Sequence, residues 1–288
     1  MKTITIILVI IVYFCCSILV FAQDLRRLPS LIRDQTPERN PDFEIDNPNR
    51  VITGIVKKEL GKDSKPVYCC GNDSYPSRLN GYVVHNQSTF NSWFNNVPGV
   101  NIPIPFTLTL TKNSTDPLMD TYTFNNDAFF PIEGKGWEAP GADPMIRKRK
   151  YLHNFHFCME THAFFTFSGI ANQFINVRGD DDLWLFINKQ LVVDLGSPHS
   201  YLIGGSRSLV LDKLGLVKDM VYAFDLFFCE RHSMESHLQL STSLSLFPNP
   251  RFLDFNGEAT LNLTSFFLPH QLDAADFQIL VQPLNLTF

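Results

Sequence analysis

Beyond residue 22 the chain lacks any apolar stretch near the ~20 residues that a membrane-crossing helix needs, so the mature protein is expected to be soluble. It also lacks a basic excess. Its 24 Lys and Arg stand against 29 Asp and Glu, a net charge of −5, which leaves no electrostatic footprint for nucleic acid. No Gly-x-Ser-x-Gly elbow, phosphate loop or His-Glu-x-x-His zinc helix occurs, which removes the commonest readable hydrolase and nucleotide motifs. There is no internal repeat, no low-complexity tract and no long amphipathic helix.

What is present points outside the cell. Lys2 precedes an almost wholly apolar run from Ile4 to Phe21, and Val20 and Ala22 are the small residues a signal peptidase requires. Residues 1–22 therefore read as a signal peptide cut before Gln23, with an uncleaved anchor as the alternative. Removing them leaves four cysteines, Cys69, Cys70, Cys158 and Cys229. An even number in an oxidising compartment favours disulfides. Cys158 and Cys229 both lie in strand-like segments and are the favoured pair, which would contribute about 4 kcal/mol through loop closure. Cys69 and Cys70 are left for another partner or for a vicinal bridge. Asn72, Asn86, Asn113, Asn262 and Asn285 are each followed two places later by Ser or Thr, the acceptor pattern for N-glycosylation.

The pattern of the chain is that of strands. Phe106, Leu108 and Leu110 alternate with Thr107, Thr109 and Thr111, and Leu238 to Leu246 repeats the alternation against Gln and Ser. Met220, Tyr222, Phe224, Leu226 and Phe228 mark a further face, while Leu183 to Ile187 is apolar on both faces, as a strand covered on each side requires. The fold class is all-β: an antiparallel sandwich or barrel with long loops and few short helices. Residues 23–50, polar and Pro-containing, read as an extended N-terminal arm. Residues 51–247 form the β domain, with a long loop at 116–150 ending in the basic run Arg147 to Lys150, and 248–288 form a C-terminal β extension.

The segment richest in chemistry is Gly179 to Asn188, in which Asp180, Asp181 and Asp182 immediately precede the doubly apolar run. Three adjacent carboxylates at a sheet entrance repel one another and lose solvent. A hard cation such as Ca²⁺ would relieve them. So would splaying into water, or accepting backbone N–H groups.

This segment, GDDDLWLFINKQLVVDLGSPHS, resembles the central motif of the PA-14 domain in its fibro-slime variant. Asn40 to Glu44, Leu60 to Tyr68, Phe90 to Thr111, His153 to Phe157 and Tyr222 to Thr242 resemble the family's flanking parts. The whole is most similar to the prespore-cell-inducing factor family of slime moulds, secreted glycoproteins implicated in developmental signalling. The resemblance implies a β-sandwich binding module for an extracellular glycan or a cell-surface receptor. In the carbohydrate-binding members an Asp–Asp pair joined by a cis peptide holds Ca²⁺, which contacts sugar hydroxyls. The matching positions are Asp180 and Asp181, with Asp182 beside them and Asn188 and His199 as further ligand contacts. Two features depart from the pattern: Asn188-Lys189-Gln190 lacks a turn glycine, and Ser197-Pro198 replaces a Gly-rich turn.

Other constellations are weaker. His153 and His156 would fall on opposite faces of a strand and could share a metal with His162 only in another conformation. Glu230, Arg231 and His232 are expected to form an ion pair on the sheet rim. Trp184 is expected in the core. The function expected is a non-enzymatic binding or signalling module; a polysaccharide-active enzyme and a structural matrix glycoprotein are the alternatives.

Overall fold

The computed structural model describes residues 24–45, 49–77, 81–113, 119–142, 153–201 and 207–250, all within the first of two units, 1–253 and 254–288. The expected signal peptide, the basic run, the C-terminal extension beyond residue 250, and Asn262 and Asn285 lie outside the described residues. Among those described, no helix is long and apolar enough to cross a membrane.

The strands are β1 (Leu25–Asp34), β2 (Tyr75–Ser77), β3 (Gly81–Val84), β4 (Ile102–Lys112), β5 (Tyr122–Asn126), β6 (Phe157–Thr166) and β7 (Phe174–Gly179). They continue with β8 (Asp182–Ile187), β9 (Gln190–Leu195), β10 (Arg207–Val210), β11 (Val221–Glu230), β12 (Leu238–Thr242) and β13 (Phe247–Pro248). Among the described residues one α-helix, α1 (Gln87–Phe94), follows β3. Apart from the β2–β3 hairpin, the strands join one antiparallel sheet in the order β10-β7-β12-β5-β4-β1-β6-β11-β8-β9, with β13 beside β6. The expectation of an antiparallel all-β fold with little helix is met.

The sheet curls around one core and carries a second on its outer face. Leu183, Leu185 and Ile187 of β8 join Leu28, Ile32, Leu108, Phe157, Phe228 and Leu240 in the inner core. The alternate residues Trp184 and Phe186 join Phe227, Phe90, Trp93 and Phe94 in the outer one. Successive strand residues point to opposite faces, so a strand covered by two layers carries apolar residues at consecutive positions, as Leu183 to Ile187 do, all of them buried. Trp93 and Trp184 stack with centroids 6.2 Å apart. The outer layer docks through backbone exchange between Ile52 and Gly196 (2.8 and 3.1 Å). A Cβ on Gly196 would come within 2.7 Å of the Ile52 carbonyl oxygen, so only glycine permits this approach.

Two expectations need correction. Residues 23–50 do not form an extended arm: Leu25–Asp34 is an interior strand, paired along its whole length with β4 and over five residues with β6. Its polar look misleads because Arg33 and Asp34 are buried with partners inside the fold. Arg33 is buried against Glu160 at 2.9 Å, and Asp34 accepts from the Asn154 amide at 3.0 Å. Within the expected loop 116–150, Tyr122–Asn126 is a strand, its Tyr122 buried and its Asn125 exposed.

Both disulfides are intramolecular: Cys158–Cys229 and the vicinal Cys69–Cys70. Cys158 and Cys229 face each other directly on β6 and β11. Their bridge closes a separation of 71 residues. The Cys158→Ala, Cys229→Ala double variant should lose about 2–5 kcal/mol in urea unfolding, and the Cys69→Ala, Cys70→Ala variant much less, because the loop it closes is minimal. Equal losses would contradict the loop-closure account.

Candidate functional site

The three aspartates lie where β7 hands over to β8. Gly179 closes β7, Asp180 and Asp181 form the turn, and Asp182 opens β8. Asp181 takes a left-handed conformation (φ 46°), and the described backbone has no cis peptide bond. The implied cis Asp180–Asp181 link is therefore absent, and the chain turns through φ instead.

Each carboxylate is buried and already satisfied by the protein. Asp182 pairs with the Arg231 guanidinium (Nε 2.5 Å, Nη2 3.3 Å) and accepts the Ser197 N–H at 2.7 Å. Asp181 accepts the backbone N–H groups of Arg231 (2.7 Å) and His199 (3.3 Å). Asp180 accepts from the backbone of His237, and its second oxygen lies 2.7 Å from the His237 Nδ1. The repulsion legible in the sequence is thus relieved from within.

Glu230 adds a fourth acid. Its Oε2 is buried without an N–H or O–H donor, and its neighbour is the Asp181 carboxyl. Two enclosed acids in contact cannot both ionise cheaply, so they share a proton. Burial, then repulsion from Asp181 and Asp180, pushes Glu230 well above the usual carboxylate range. Burial likewise lifts Asp181, to about 6, against the opposing pull of Arg231.

Arg231 is the hub. It is fully buried, donates through Nη1 to the Asp42 and Val83 carbonyls (2.7 and 3.0 Å) and lies 4.4 Å over the Trp93 ring. It ties the β8 entrance to the outer layer. The rim ion pair expected among Glu230, Arg231 and His232 is therefore replaced by an interior pair between Arg231 and Asp182.

At the surface beside this turn, Glu235 and His237 approach the buried Asp180 carboxylate, and the ligand atoms of the three lie within 4.8 Å of one another. Glu235 is exposed and His237 half-buried. The His237 ring stacks on Tyr201 at 4.5 Å, and the Arg178 guanidinium sits 3.5 Å over the Tyr201 ring. Tyr201 Oη donates to Gln239 at 3.4 Å. The result is a stacked aromatic, imidazole and guanidinium edge beside two carboxylates.

The donor set decides which ion fits where. Asp181 and Asp182 spend their oxygens on N–H donors and a guanidinium, so they do not suit Ca²⁺. Asp180, Glu235 and His237 gather two carboxylates and an imidazole, a set for a divalent cation with more nitrogen tolerance than calcium prefers, which would take the place of the Asp180–His237 Nδ1 contact.

The remaining candidates are dispersed. Asn188 sits in the β8–β9 turn, at the other end of β8 from Asp182 and so roughly 20 Å away at ~3.3 Å per residue. That turn forms without glycine, with Asn188 and Lys189 both at positive φ (49° and 67°). His199 is buried, its Nδ1 on the Ser197 carbonyl at 2.6 Å and its Nε2 unpartnered. His153 contacts Glu133, His156 contacts Glu44, and His162 contacts Asp225, so the three do not converge. Asn72 and Asn113 are exposed. Asn86 caps α1 through its Oδ1, which leaves its amide nitrogen outside the cap.

A PA14 domain model matches residues 147–248, the stretch that supplies Asp180, Tyr201, Glu235 and His237. The chain carries a PA14 domain. It is 47% identical over 232 residues to protein psiJ and 47% over 223 residues to protein psiN, both of Dictyostelium discoideum. Those alignments cover 77% and 74% of this chain but only 31% and 30% of the relatives. The chain thus spans under a third of either protein. It is also 40% identical to protein psiC over 231 residues, covering 79% of this chain and 43% of that one. Among solved structures, a PA14 sugar-binding domain from an RTX adhesin aligns over 76% of this chain and 95% of its own at 9% identity and a TM-score of 0.29.

Sequence reasoning found the acidic turn of the PA14 domain but missed Tyr201, Glu235 and His237. The signal available was Glu235-Ser236-His237, an i, i+2 pair that shares one side of an extended chain just before β12.

Proposed function

We propose that this chain is a secreted glycoprotein whose PA14 domain binds an extracellular or cell-surface glycan without turning it over, as a developmental signal or recognition factor. The observation that carries the reading is the rim at Tyr201, Glu235 and His237, where the half-buried Tyr201–His237 ring stack meets the exposed Glu235 carboxylate, which is able to accept from sugar hydroxyls. Sugars are recognised by that combination, since apolar C–H faces lie on rings and hydroxyls demand charged or amide acceptors. Any divalent-ion dependence is proposed to rest on Asp180, Glu235 and His237 rather than on the Asp180–Asp181 pair. The enclosed Asp181–Glu230 pair has no open face for a substrate, which favours binding over hydrolysis.

Retention of the secreted protein on a glycan array tests this. Tyr201→Ala and Glu235→Gln should each weaken retention about tenfold or more, roughly 1.4 kcal/mol, with an unchanged unfolding midpoint. Chelation should lower retention, and added Zn²⁺ should restore it at lower concentration than Ca²⁺. Retention indifferent to both substitutions would sink the rim as the site, and hydrolysis of the retained sugar would move the chain among enzymes.

A further inference from the structure

The sheet opens between β4 and β5. β1 and β4 pair over ten residues and β12 and β5 over five, but β4 and β5 pair only through Thr111–Thr123 and Lys112–Tyr122. Beyond those two pairs the strands diverge and leave a groove of about 470 Å³. Its walls carry the hydroxyls of Thr109, Thr111 and Thr123 and the Asn125 amide, with the half-buried Phe124 ring. Among the described residues Lys112 is its one charged lining residue, and its Nζ is held by Asp120 at 2.7 Å. The surface is neutral and rich in hydroxyl and amide groups, with one aromatic ring: chemistry for a neutral polyhydroxylated ligand, not for a phosphate or a basic peptide.

One such ligand can be delivered by the chain itself. Asn113 lines the same groove and is exposed, and Asn113-Ser114-Thr115 is an N-glycosylation acceptor. The Asn113 N–H donates to the Thr121 carbonyl at 2.7 Å, so the attachment point is fixed by the hairpin closure. A sugar tethered there has an effective concentration in the millimolar range, enough to fill a site too weak to hold the same sugar free in solution.

We propose that the β4–β5 groove seats the innermost sugars of an N-glycan carried by Asn113, closing the gap that the sheet leaves open. The proposal rests on the secretory reading above but not on glycan binding at the Asp180 rim. It makes the glycan part of the fold rather than a solvent-facing ornament.

Hydrogen exchange on protein secreted from a glycosylating eukaryotic host tests it, with peptide mass mapping of Asn72, Asn86 and Asn113. Enzymatic removal of the glycans should speed exchange about tenfold or more in peptides covering 107–113 and 121–126, and leave β8 and β11 unchanged. Thr109→Val with Thr123→Val should speed the same peptides while Asn113 stays glycosylated. An occupied Asn113 whose removal changes nothing in those peptides overturns the docking. An unoccupied Asn113 beside occupied Asn72 or Asn86 overturns it too, yet leaves the secretory reading intact, whereas failure to reach the medium with no site occupied overturns that reading itself.

Discussion

Arg231→Ala should destabilise the folded chain by about 3–5 kcal/mol, because it strands the buried Asp182 carboxylate without its counter-charge. Asp182 is fully buried, and its remaining acidic neighbours add repulsion rather than relief. The same change removes donors from the Asp42 and Val83 carbonyls and the cation over Trp93. Part of the loss should therefore appear as loosening of the outer layer. Chemical denaturation measures the total, and hydrogen exchange at Val83 and Val84 locates it. The paired variant Arg231→Met, Asp182→Leu should recover much of the loss, since replacing both charges leaves no uncompensated ion. If Arg231→Ala unfolds at the wild-type denaturant concentration, the hub assignment is wrong.

The second large effect is on pH. Glu230 and Asp181 hold their protons more tightly folded than unfolded, Asp181 to about 6 against an ordinary 3.8. Below pH ~4 both states are protonated and the pair contributes fully. As pH rises through ~6 the unfolded chain has released those protons and the folded one must give them up inside the protein. Stability should fall across that window by roughly 3 kcal/mol for Asp181, at ~1.4 kcal/mol per pH unit of displacement. Glu230→Gln should flatten this limb, because an amide donates to the Asp181 carboxylate without needing a proton.

A separate acid limb should survive that substitution. Glu44 and Glu160 are both held at about 2, burial notwithstanding, by His156 and Ser233 in the first case and by His162 and Arg33 in the second. Their contribution is present above pH ~4.5 and lost as pH falls toward 2. Denaturation midpoints measured from pH 3 to 8 would show a maximum in mildly acidic solution. A wild-type curve that climbs steadily from pH 4 to 8, or an upper limb unchanged in Glu230→Gln, would refute the shared proton.

These effects meet at one place for a physical reason. The β7–β8 turn carries three acids into a region covered on both faces, and the fold meets each demand with a different device. Asp182 receives a guanidinium, Asp181 a shared proton and backbone donors, and Asp180 an imidazole at the surface. Only the last lies next to the surface, beside the exposed Glu235. The acidic turn is therefore mostly a structural junction with a recognition edge, and the edge is where binding is proposed.

Much of this was written locally. Period-two alternation in β4, β11 and β12 and the doubly apolar β8 depend only on which side of a strand each residue faces, so neighbouring residues reveal them. Charge repulsion among Asp180, Asp181 and Asp182 was equally local. Its resolution was not, because Arg231 lies 49 residues from Asp182 and Glu235 and His237 lie more than fifty from Asp180. β1 was misread for the same reason: Arg33 looks like a solvent-facing residue until Glu160 is brought beside it. A one-dimensional pattern records burial wherever burial means apolarity. Where a charge is buried by being paired, the partner is a tertiary fact, and only the folded sheet supplies it.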